Sequence, residues 1–274
     1  VLMGAVLILP HLTPETAKSI MSEEEALAAQ EADLGLVLGP YLGIAMALVI
    51  IWLLIAFRRL PLPPQEAVAE GGHGRFGRLW GNKLYRYGVG AQFFNVAAQV
   101  CCWTYIIQYT QQAIDGSLQL GSQMLQISLI VFLIARFVMT AVIARIRATK
   151  VMALLGVLAV CLCLYAALRP DMTGVIAVIS ISLCLSLMFP TIYGVALAGL
   201  GEATKFGAAG LVMAIVGGAI MPMVQGRVMD MTSAATSFVV PAFCFAMVTL
   251  YAIYDLRTPT PRVIATTSEK RKAQ

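Results

Sequence analysis

Charge is scarce in this sequence: Asp, Glu, Lys and Arg together make up 12% of its 274 residues, about half the share usual in a soluble domain. Histidine occurs twice, as His11 and His73, both in predicted loops far apart in sequence. No carboxylate falls at the middle of an apolar run, and no His, Asp or Glu cluster gathers at one depth, so the pattern of an enzyme site is missing. The six cysteines (Cys101, Cys102, Cys161, Cys163, Cys184 and Cys244) all lie inside apolar runs, where a thiol behaves as a small hydrophobe. Cys161-Leu-Cys163 has neither the spacing nor the partners of a zinc site, so we expect no disulfide framework, no metal and no cofactor. The glycines from Gly207 to Gly218 follow no strand and precede no GKS-type ending, which excludes a phosphate loop.

Apolar residues are abundant instead: 59% of the chain is hydrophobic and the mean hydropathy is +0.83. These values describe an all-α polytopic membrane protein. The net charge of +5 needs no nucleic-acid partner, because the basic residues collect in the loops of one membrane side. Full spans are predicted at about 41–57, 84–109, 120–144, 150–168, 172–198, 205–228 and 237–255. Residues 1–9 are apolar but too short to span, and read as a helix stub whose beginning is missing. The loop 10–40 is acidic, with Glu15, Glu23, Glu24, Glu25, Glu31 and Asp33 against a single Lys18. Arg58, Arg59, Arg75, Arg78 and Lys83 make 58–83 a basic connector, broken by several glycines and prolines. The excess of Lys and Arg places this connector and the 256–274 tail in the cytoplasm, and the acidic loop outside. Seven spans, a stub and a long inside connector before six helices match the layout of half a two-bundle transporter in a cell membrane.

The stretch 84–112 concentrates the candidate chemistry. Gln92 and Gln99 are seven residues apart, roughly 700° of helical rotation, so they point the same way, with Asn95 about 60° aside and Trp103 on the same face. Buried amides without partners cost about 2–7 kcal/mol, so this line should meet either a hydrated cavity or polar groups of neighbouring helices. On the 174–200 segment, Ser182, Ser186, Phe189 and Tyr193 share one face around Pro190, whose missing N–H frees a carbonyl and bends the helix, which makes Pro190 a candidate hinge. This face suits either cavity lining or close helix packing. Gly217, Gly218 and Pro222 make the next span smooth and permit a hinge. Arg136 is the one ionisable group well inside a span; it either braces helix ends or belongs to a gate.

The segments Gln92–Trp103, Phe189-Pro-Thr-Ile-Tyr193, Gly199–Gly207 and Val212–Gly218 resemble the second half of the fucose permease family, proton-linked sugar symporters of the major facilitator superfamily. The resemblance runs from about residue 1 to 255. It implies a twelve-helix fold in two bundles, with a monosaccharide bound between them at mid-membrane. Residues 1–57 would then end the N-terminal bundle, 58–83 would be the cytoplasmic connector and 84–255 the C-terminal six-helix bundle. The resemblance further implies that Gln99, Trp103 and the Phe189 region line the sugar cavity, and that Arg136 through Lys150 forms a charged loop signature, favouring a bracing role for Arg136. Asn95 and Phe189 depart from the tyrosines that family members carry there, which leaves fucose, glucose, galactose or another hexose open. The carboxylates that carry the proton in this family belong to its first half, and this chain does not supply them. The leading expectation is part of a sugar:proton symporter, and the alternative is a non-transporting membrane subunit or receptor that retains the fold.

Overall fold

The computed structural model describes residues 38–39, 41–54, 57, 79–143 and 145–258. The stub at 1–9, most of the acidic loop, nearly all of the connector and the tail beyond 258 lie outside the described residues. Every regular element among those described is helical. The chain divides into two units, Val1–Glu70 and Gly71–Gln274. In the first, an apolar helix α1 spans Tyr41–Leu54.

In the second unit, the helices are α2 (Lys83–Ile114), α3 (Leu118–Ile143), α4 (Ala148–Leu168), α5 (Met172–Leu197), α6 (Thr204–Met213), α7 (Gly217–Met231), the single turn α8 (Ala234–Ser237) and α9 (Val239–Arg257). A 3-10 turn at Ala214–Val216 joins α6 to α7, and together they form one stretch, Thr204–Met231, long and apolar enough to cross a membrane. α3, α4, α5 and Ala234–Arg257 meet the same description. At 32 residues, α2 extends about 48 Å and is long enough too, but its amides lower its hydropathy. These helices match the predicted spans to within a few residues, apart from a longer α2. The agreement is physical: lipid offers backbone groups no partner, so an apolar run of about 20 residues must form a helix.

Local chemistry sets the helix ends. Asn82 caps α2, its side-chain oxygen accepting from the amides of Leu84 at 3.0 Å and Tyr85 at 3.4 Å. Asp171 caps α5 in the same way through Thr173 and Gly174. Between α5 and α6 the chain turns through Gly199 and Gly201, at φ 79° and 53°, a left-handed backbone that favours glycine.

α2 and α5 form the centre of the bundle. α2 packs against α3, α5, α7 and α9, while α5 packs against α2, α3, α4 and α6. In its most apolar window α5 is 67% buried and α3 only 11%, so α3 is a peripheral helix, presenting Leu133, Ile134, Phe137 and Val138 outward. α2 and α5 run antiparallel: Gly88 abuts Ala196, Trp103 meets Ser182, and Tyr109 abuts Gly174. Small residues make this approach possible. An added Cβ at Gly88 would lie 2.5 Å from that of Ala196, and one at Gly174 would collide with the Tyr109 hydroxyl.

Candidate functional site

A polar chain crosses three helices at the level of Trp103. The indole Nε1–H of Trp103 donates to Ser182 Oγ at 3.1 Å, and Ser182 Oγ lies 2.6 Å from Ser128 Oγ. Both serines are about 1% exposed, so the hydroxyls satisfy one another inside the bundle and tie α2, α5 and α3 together. The Trp103 ring meets Phe132 edge to face at 5.1 Å. One turn further along α3, the Arg136 guanidinium lies 5.9 Å from the centroid of that same Phe132 ring. Arg136 is exposed, and it reaches the neighbourhood of Trp103 through an aromatic intermediary rather than a carboxylate.

The amide line divides. Gly88 and Trp103 both touch α5, so the face carrying Gln92 and Gln99 between them is turned toward α5. Gln92 and Asn95 are buried there, at 0% and 1% exposure, and among the described residues neither amide has a hydrogen-bond partner at nitrogen or oxygen. Gln99 and Trp103 are half-buried. The periodicity shows which side chains share a face but not how deeply a neighbouring helix covers each of them. α7 closes down on the adjacent face, Gly217 against the Phe93 carbonyl and Gly218 against Val96 and Val100. The glycine pair therefore allows close packing at this point, and the helix tightens to 3-10 form just before it.

On α5, Phe189 and Tyr193 are half-buried and stacked, with ring centroids 6.3 Å apart and planes within 9°. By the antiparallel register, Phe189 lies about level with residue 95 and Tyr193 with residue 91. Ser186 donates to its own helix, at the Leu183 carbonyl, 2.7 Å away. Pro190 is exposed and faces a separate hollow of about 230 Å³ bordered by Ile143, Arg147, Thr191 and Gly194. Pro222 is held by α2, its carbonyl accepting from Tyr105 Oη at 2.8 Å.

Sequence reasoning missed several contacts. Ser128 gave no local signal, being a lone serine in an apolar run. Tyr85 Oη donates to the Gly207 carbonyl at 3.1 Å, and Tyr109 Oη to that of Ala166 at 2.8 Å, so tyrosines fasten helices across the bundle. Arg147 pairs with Asp255 at 3.3 Å, the carboxylate wholly buried and the arginine 43% exposed. A search for acids at mid-span overlooks Asp255 because it lies in the last turn of α9.

The L-fucose-proton symporter of Haemophilus influenzae is 34% identical to this chain over 241 residues, covering 84% of this chain and 55% of its own length. The L-fucose-proton symporter of Escherichia coli is 32% identical over 269 residues, covering 95% and 61%. The glucose/galactose transporter of Brucella abortus is 28% identical over 252 residues, covering 91% and 58%. The crystal structure of the major facilitator superfamily transporter FucP in the outward conformation aligns with a TM-score of 0.78 at 30% identity, covering 94% of this chain and 65% of that one. This chain is a relative of the fucose-proton symporters, with a major facilitator superfamily fold. No protein-family model matches it. The chain spans between 55% and 65% of the length of these symporters and transporters.

Proposed function

We propose that this chain is the C-terminal portion of a hexose or deoxyhexose:proton symporter, and that the surface formed by Gln99, Trp103, Phe189 and Tyr193 contacts the sugar. The observation that carries this reading is the half-buried band of the stacked Phe189 and Tyr193 rings and the Trp103 indole along the α2–α5 seam. Flat rings offer the apolar face of a sugar a surface, and the Gln99 amide offers its hydroxyls both donors and acceptors. The serine pair holds the indole in place, with Phe132 edge to face against it. The proton-carrying carboxylates are assigned to the remainder of the transporter, since an amide does not titrate. By the same reading the protein is a transporter rather than an enzyme, its connector and C-terminus are cytoplasmic, and Arg136 and the Gly217–Pro222 region take part in the movement between access states.

The test uses the full-length transporter that contains this chain, reconstituted in vesicles under an inward proton gradient with labelled L-fucose, glucose and galactose. Uptake of at least one sugar, abolished by a protonophore, is expected. Gln99→Ala should weaken binding of that sugar by about 1–3 kcal/mol, the cost of leaving a buried polar partner unsatisfied, with expression nearly unchanged. Proton-independent flux, or none with any of these sugars, would end the reading. Lost expression with unaltered affinity would make Gln99 a packing residue instead.

A further inference from the structure

One end of the bundle holds a groove that the sugar reading does not use. It lies between α2 and α9, has a volume of about 370 Å³, and is lined along its length by Gly90, Phe94, Met247 and Leu250. Tyr87 and Tyr254 stand at its outer end, edge to face at 5.1 Å, and the Arg86 guanidinium lies 5.5 Å from the centroid of the Tyr87 ring. The polar groups sit where the helices end: Arg86 is in the first turn of α2 and Tyr254 in the last turn of α9. Phe94 lies eight residues deeper along α2, about 12 Å by helical rise.

Basic residues collect at this end. Arg147 lies over the end of α9, flanked in sequence by Arg145 and Lys150, and Arg257 closes that helix. The acid of this helix end, Asp255, is buried and paired with Arg147.

We infer that the groove binds an anionic phospholipid, with its phosphate against Arg86 and one acyl chain laid along α2 and α9. A guanidinium at a helix end recognises a phosphate oxygen pair, and tyrosines with an apolar body and a polar tip belong at headgroup level. The inference requires only that the bundle lies in a membrane, so it is independent of the sugar assignment.

The full chain, purified in mild detergent, is offered phosphatidylglycerol and phosphatidylcholine in equal amounts, and retained lipid is read by native mass spectrometry. Phosphatidylglycerol should be retained preferentially, and Arg86→Gln should reduce that preference about five-fold. A Cβ at Gly90 would meet nothing within 4 Å, so Gly90→Leu should fill the groove and lower retention of both lipids, while Gly90→Ala, with most of the space still open, should not. The Gly90→Ala variant thereby separates a blocked groove from a damaged fold. Equal retention of the two lipids by the parent chain would overturn the inference. So would phosphatidylglycerol retention unaffected by Arg86→Gln and Gly90→Leu, which would mean that another segment of the protein covers the groove, and so would displacement by inorganic phosphate, which would mark an anion site without a lipid.

Discussion

Gln92 and Asn95 bury four polar side-chain atoms that have no hydrogen bond among the described residues. A buried group in that condition costs about 1–3 kcal/mol, whereas an apolar side chain of similar shape does not. Gln92→Met and Asn95→Leu should therefore each raise the stability of the purified chain by about 1–3 kcal/mol in thermal unfolding. A fall in either variant would show that its amide has a partner. Trp103 is the opposite case: Trp103→Phe forfeits the bond to Ser182 and should lose about 1 kcal/mol, and adding Ser182→Ala should cost less than it does in the parent, because the two share one interaction. Asp171 offers a pH handle outside the spans. The Thr173 hydroxyl beside it, followed by the Gly174 amide, holds its pKa below the usual carboxylate value. With the folded pKa lowered, this cap stabilises fully above the ordinary value and the stabilisation fades as pH falls through the folded one. The acid limb of a melting-temperature profile should accordingly flatten in Asp171→Asn.

Among elements, the tightest contacts are those where glycine faces backbone or a tyrosine hydroxyl. Gly217→Ala would force a methyl onto the Phe93 carbonyl and should destabilise by about 1–3 kcal/mol, the usual range for overpacking. Gly194→Ala, with nothing within 4 Å of its Cβ, is the matched control and should change stability by less. The Arg147–Asp255 contact fastens the α3–α4 turn to the end of α9. Arg147→Ala should cost less than the roughly 3–5 kcal/mol of breaking a fully buried pair, because the arginine is partly solvated and Asp255 keeps other interactions. Helix positions were legible in the sequence because apolar length dictates them. Helix neighbours were not: Gly217 and Gly218 announce a close approach without saying that α2 is the helix approached, and Ser182 gives no sign that Ser128 stands opposite.

For the whole molecule, the fold was the most legible feature, since composition, run length and the segments from Phe189 to Gly218 point to one architecture. The candidate site was only half legible. Trp103, Gln99, Phe189 and Tyr193 lie half-exposed along a single seam, but Gln92 and Asn95 are submerged beneath α5, a depth that helical periodicity cannot express. Sidedness is the remaining global prediction. Single cysteines at Ser22 and Ala69, in a cysteine-free background, should react with an impermeant maleimide from opposite faces of sealed vesicles, and reaction from one common face would reverse the assignment of the acidic loop and the basic connector.

Two tight contacts between α2 and α5, Gly88 against Ala196 and Tyr109 against Gly174, are 21 residues apart along α2, or about 32 Å. That is close to the full hydrocarbon thickness of a bilayer. A pair of helices pinned at both water boundaries acts as a strut. Such a strut carries a tilt from one face toward the other, and the regular hydrogen-bond ladder is interrupted at the 3-10 turn Ala214–Val216 and at Pro190 within α5.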